Sequence, residues 1–80
     1  MMLYKWEFLD AAIRSDDVGP FTVATVKTGA SRWETRVYDG GTSGPIDSAV
    51  THCAALVDEQ HDDMVAGFFD FCVDNDLLDY

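Results

Sequence analysis

Two runs in the middle of the chain, FTVATVKT (21–28) and RWETRVYD (32–39), constrain the fold more than any other feature. Both are rich in β-branched and aromatic residues, and the Gly29-Ala30-Ser31 segment between them is a suitable turn, so the pair predicts an antiparallel β-hairpin. A three-residue loop pairs Thr28 with Arg32, Val26 with Glu34 and Val23 with Val37. Phe21, Val23, Thr25, Trp33, Thr35 and Val37 then share a face apolar enough to pack. Thr22, Ala24, Val26, Thr28, Arg32, Glu34, Arg36 and Tyr38 share the other, mixed enough to stay wet. This register expects Trp33 at least partly buried beneath helices and Arg32, Glu34 and Arg36 in water.

The flanks are read by periodicity. Tyr4, Trp6 and Phe8 alternate with Lys5 and Glu7 as in a strand, whereas Met2, Trp6, Leu9 and Ile13 follow a helical stripe. A helix over 5–15 is preferred, stopped by Ser15-Asp16-Asp17 and Gly19-Pro20, and the strand alternative stays open. After the loop Gly40–Gly44, Pro45 or Asp47 opens a helix along Ile46, Val50, Cys53 and Val57. Asp62 or Asp63 can cap a second, carrying Met64, Val65, Phe68, Phe69, Cys72 and Val73. One bent helix over 46–74 is equally consistent with the spacing. The expected fold is one compact acidic α+β domain over 1–80. A hairpin, with a third strand from the N-terminal segment as an option, packs on two or three helices, and 75–80 form a loosely ordered tail.

At 80 residues the chain has room for one core, since a domain this short hides only about 60–65% of its unfolded surface. A hydrophobic fraction of 48% is too high for a disordered acidic chain. Two cysteines, Cys53 and Cys72, do not make a disulfide framework and are expected reduced and buried. Nothing resembles a signal peptide or a membrane span, so the cytoplasm is the expected location and no membrane partner is expected.

Charge is distributed unevenly. Residues 1–38 hold five acids and five bases, while 39–80 hold ten acids and no base, so the net charge of -10 sits in the second half. Direct nucleic-acid binding needs lysines and arginines against phosphates and is not expected; a basic partner is.

Among candidate sites, His52, Cys53, His61 and Cys72 are possible metal ligands, but adjacent helical residues diverge by about 100° and no CxxC or HxxxH spacing occurs. The histidines are expected at the surface, and no metal or other cofactor is expected. Asp74, Asn75, Asp76 and Asp79 do not complete a calcium loop. No nucleophile, base and orienting group converge, so no catalytic residues are assigned and no enzyme is expected. What remains is the acidic set Asp58, Glu59, Asp62, Asp63, Asp70 and Asp74, short side chains on a helix that can imitate a row of phosphates.

Length, a 21–39 hairpin followed by helices over 46–74, and that one-sided acid set resemble the small acidic anti-CRISPR inhibitors encoded by bacteriophages, at the level of the class and with no family-specific motif. The resemblance implies a non-enzymatic inhibitor, a DNA mimic in the host cytoplasm that occupies a basic, nucleic-acid-binding surface of a CRISPR effector or a similar ribonucleoprotein. An immunity or antitoxin protein against a basic nuclease predicts the same electrostatics. A small dimeric phage accessory protein associating through Phe68, Phe69 and Phe71 is the third option.

Overall fold

The hairpin expected between residues 21 and 39 is the centre of the sheet. In the computed structural model, which describes residues 3–78, the chain runs α1 (Lys5–Asp10), β1 (Arg14–Val18), β2 (Phe21–Gly29), β3 (Arg32–Asp39), β4 (Asp47–Thr51), a 3-10 turn (Ala54–Leu56) and α2 (Val57–Asp74). The strands form an antiparallel meander in the order β1-β2-β3-β4. This is an α+β fold with helices packed on a four-stranded sheet.

Val23 faces Val37 and Val26 faces Glu34, as the sequence suggested. At the tip a bulge between Lys27 and Gly29 shifts the pairing, so Arg32 sits opposite Gly29 rather than Thr28. The turn is accordingly tighter than expected.

The N-terminal helix is shorter than the expected 5–15. Tyr4 N–H donates to Glu7 Oε1 at 3.3 Å at its start, and after Ala12 the chain joins the sheet through Ile13 N–H to Thr25 O at 2.9 Å. Arg14–Val18 is a strand, because Ser15, Asp16 and Asp17 are weak helix formers and β2 offers an unpaired edge. Gly19-Pro20 is the two-residue turn between β1 and β2, with Val18 opposite Phe21. Gly19 has φ +57°, and proline holds φ near −65°, a combination that among hairpin turns belongs to type II′. A third strand beside the hairpin does form, but from Arg14–Val18, where the helix was expected to stop, and not from the alternation of Tyr4, Trp6 and Phe8, which lies in or beside α1.

The helix expected from Pro45 or Asp47 is absent, and Asp47–Thr51 pair with β3. The stripe Ile46, Val50 and Cys53 lies exposed rather than in a core. Pairing with the edge of β3 outweighed a helical spacing that had no surface to bury against. From Val57 to Asp74 the chain is one unbroken helix, so neither Asp62 nor Asp63 is a cap.

Both faces of the sheet are covered. Beneath α2 lie Val18, Phe21, Val23 and Val37 of the sheet, packed against Met64, Val65, Phe68 and the buried Cys72 of the helix and against Leu78. Phe21 meets Phe68 edge-on, ring centroids 5.1 Å apart. On the far side α1 inserts Phe8 between Ala24, Val26 and Tyr38, joined by Leu3, Leu9 and Ala12. The second face was expected to be wet and is instead a second, smaller core. Trp33 is half-buried, as expected, but the Glu34 and Arg36 side chains are only 12% and 14% exposed. Arg36 is held there by Glu34, by Leu3 O at 2.8 Å, by Tyr38 Oη at 2.9 Å and by the Phe8 ring 4.2 Å away.

The C-terminal end of α2 is closed by Leu77 N–H to Cys72 O at 2.8 Å and Asp76 N–H to Val73 O at 3.4 Å, with Asp76 at φ 55°. This is the Schellman arrangement with aspartate where glycine is usual. It turns the chain back so that Leu78 joins the core under α2.

Candidate functional site

Helix geometry sorts the acids of α2 into two groups. At 100° per residue, His61, Val65, Phe68 and Cys72 define the inner face, and Glu59, Asp63, Asp70 and Asp74 fall within about 60° of arc on the outer one. All four of these carboxylates are exposed, and none pairs with a base among the described residues. At 1.5 Å per residue they span roughly 22 Å of helix.

Asp58 and Asp62 lie on the flank that meets β1. Arg14 Nη1 is 3.4 Å from Asp58 Oδ1, and Arg14 Nη2 is 2.5 Å from Asp62 Oδ1. The hydrogen bond to Asp62 outweighs partial desolvation and, with the nearby charges of Asp62, Asp16 and Asp58, holds the guanidinium pKa above its ordinary value. Two of the six acids singled out in the sequence are therefore engaged internally. Sequence reasoning missed Arg14 because its partners lie 44 and 48 residues away.

The other bases are occupied elsewhere. Lys5 Nζ donates to Asp39 O at 3.1 Å and Thr42 O at 2.9 Å. Lys27 lies 5.5 Å from the Trp33 ring, and Arg32 bonds Glu34 at 3.1 Å. Desolvation opposes the Arg36 charge, but hydrogen bonds to Tyr38 and Glu34 overcome it and raise its pKa. Asp39 is held below the ordinary carboxylate range, first by the Gly41 backbone N–H at 2.8 Å, then by Thr42 and the Lys5 charge.

His61, expected at the surface, is fully buried. Its Nε2 lies 2.7 Å from Asp16 Oδ2 and its Nδ1 2.8 Å from Thr25 Oγ1. Thr25 and Thr35 Oγ1 are 2.6 Å apart, and Gln60 Nε2 donates to Thr35 Oγ1 at 3.0 Å. The Asp16 carboxylate can only accept, so in a neutral ring Nδ1 is the acceptor: Thr25 donates to Nδ1, Thr35 donates to Thr25, and Thr35 accepts from Gln60 Nε2. Nε2–H then donates to Asp16. Carboxylate, imidazole and hydroxyl stand in the order of a nucleophilic relay. Thr25 is fully buried in mid-sheet, however, so its hydroxyl is closed off from solvent. The arrangement as folded ties α2 to β1, β2 and β3.

Cys72 is buried as expected, with Sγ 3.7 Å from Val18 O, whereas Cys53 is exposed because its segment is not a helix packed on the sheet. His52 is at the surface. Among the described residues no group of three or more His, Cys, Asp or Glu is arranged to hold a metal ion. Asp74 and Asp76 are exposed, and Asp79 lies outside the described residues. Phe68, Phe69 and Phe71 do not form one surface. Phe68 and Phe71 lie beside Phe21, and Phe69, about 200° round the helix from Phe71, faces the opposite way. No helix among the described residues is long and apolar enough to cross a membrane.

Comparison with protein-family models, with curated proteins and with solved structures returns no match.

Proposed function

We propose that this chain is a non-enzymatic binding protein that inhibits a nucleic-acid-handling partner by laying the outer face of α2 on the partner's basic surface. The observation that carries this reading is the placement of Glu59, Asp63, Asp70 and Asp74. Glu59 with Asp63 and Asp70 with Asp74 are like-charge pairs four residues apart, which repel on a helix. Asp74 also stands in the last turn, where the helix dipole disfavours a negative charge and no base offsets it. Glu59, in the first turn, is favoured by the dipole, but the repelling pairs and Asp74 bring folding no gain, whereas a docking face for arginines and lysines uses all four.

Short carboxylates at fixed spacing on a rigid helix suit bidentate arginine contacts of the kind that hold phosphates. Asp58 and Asp62, paired with Arg14, contribute to the field at longer range. A CRISPR effector with its guide channel is the partner class that fits both this surface and the resemblance drawn from the sequence, and a basic nuclease neutralised by an immunity protein is the other. Affinity capture from the host cell, followed by competition with nucleic acid, tests the reading. A captured partner released by added nucleic acid supports it, and a partner retained in saturating nucleic acid argues against it.

A further inference from the structure

We propose that the open edge of β4, with the groove between β4 and α2, receives an extended arginine- or lysine-bearing segment of a partner protein as a fifth strand. The hydrogen bonds of His61 and Gln60 fasten α2 over β1, β2 and β3 and reach β4 at Ala49 O, 3.4 Å from Gln60 Nε2, with an uncovered trough beside the rest of β4. Its upper part, of about 520 Å³, runs between Ala49 and Thr51 on the sheet, Leu56 on the 3-10 turn and Met64 on α2. A second part, of about 390 Å³, shares Asp63 and Met64 with the first and continues past Gly67 to Phe71. Leu56 is 46% and Phe71 48% exposed, so the trough has an apolar floor open to solvent.

The two edges of the sheet differ. β1 carries Arg14, Asp16 and Asp17, charges of the kind that discourage strand addition. The stretch Ser48-Ala49-Val50-Thr51 has no charge, no proline and no bulge. The rim of the trough is made by Asp47, Glu59 and Asp63, and no lysine or arginine lines either part. That charge selects the occupant. A second copy of this chain would set the same carboxylates against themselves and bring a further net charge of -10. A basic segment is complementary.

In an added strand alternate side chains face α2. A lysine or arginine there lays its methylene stem over Ala49 and Met64 and carries its charge to Glu59 or Asp63. Backbone hydrogen bonds to β4 supply affinity independent of side chains. The inference shares Glu59 and Asp63 with the carboxylate face and rests on that reading for the sign of the partner's charge. The trough and the strand edge are additional to it.

The test is fluorescence anisotropy with a labelled peptide of about ten residues alternating arginine and valine, long enough to cover β4. A second peptide has the amides that would face β4 N-methylated, which removes the donors of the added ladder. Gly67→Leu fills the second part of the trough without removing a charge, and nothing lies within 4 Å of a Cβ at this position, so the helix accommodates it. Gly67→Ala is the control. The expected result is that wild type and Gly67→Ala bind the parent peptide. N-methylation and Gly67→Leu should each weaken binding by about tenfold or more, and circular dichroism should report the helix intact. Equal binding by Gly67→Leu, or of the N-methylated peptide, overturns the strand-addition site and leaves the outer carboxylates as the sole contact. Absence of binding to wild type overturns it too, while capture and nucleic-acid competition still judge the outer face. Concentration-dependent dimerisation abolished by Gly67→Leu assigns the edge to a second copy instead and also overturns it.

Discussion

The imidazole of His61 is fully buried yet reaches the half-exposed carboxylate of Asp16, Nε2 to Oδ2 at 2.7 Å, across the seam between α2 and β1. With Thr25 on its other nitrogen, His61 has both ring nitrogens partnered, and every buried side-chain nitrogen and oxygen among the described residues is satisfied. Removing one member strands the next.

His61→Ala should therefore destabilise the fold by roughly 2–4 kcal/mol, combining a cavity with polar partners left unmet. Thr25→Val should cost about 1–3 kcal/mol, because Nδ1 loses its donor. Urea denaturation of both single variants and the double variant should show clear non-additivity, since the two residues touch.

Gly67 and Gly19 should respond to alanine in opposite directions. Gly67 is exposed in the helix with nothing within 4 Å of a Cβ, so Gly67→Ala should stabilise by about 1 kcal/mol. Gly19 has φ +57°, and a Cβ would meet Cys72 Sγ at 3.0 Å and Leu77 O at 3.1 Å. Gly19→Ala should destabilise by about 1 kcal/mol or more, and thermal melts of the two variants should move apart.

The cysteines should differ in reactivity. A thiol reagent should modify exposed Cys53 rapidly in the native protein and reach buried Cys72 only on unfolding. Two equally fast thiols would contradict the packing of Cys72 under Val18.

Asp39 links stability to acid. Its folded pKa is depressed, so its contribution is present above the ordinary aspartate value of about 3.9 and is lost as pH falls through the folded value. Urea midpoints measured between about pH 5 and pH 2 should fall less steeply for Asp39→Asn than for wild type.

Local pattern made the central hairpin legible: alternating β-branched residues on both sides of a short turn fixed Val23 opposite Val37 without reference to the rest of the chain. The strand β4 was not legible, because Ile46, Val50 and Cys53 happen to be helically spaced and only the edge of β3 decides otherwise. The core under α1 was hidden for a similar reason. A six-residue helix cannot advertise a face, and Ala24, Val26 and Tyr38 look mixed beside Glu34 and Arg36 until Phe8 covers them. Six acids of the candidate surface were visible in the sequence, but their division was not. Arg14 takes Asp58 and Asp62 out of the unpaired set through contacts that exist only once β1 lies beside α2.

That division gives the most direct test of the proposed function. With the captured partner immobilised, affinity is measured at about 50 mM salt for wild type and for two variants. One carries Glu59→Gln, Asp63→Asn, Asp70→Asn and Asp74→Asn; the other carries Asp58→Asn and Asp62→Asn. Docking through the outer face of α2 predicts that the four-site variant loses about tenfold or more in affinity and much of the salt dependence, while the two-site variant stays close to wild type. Equal affinities for wild type and the four-site variant would contradict it.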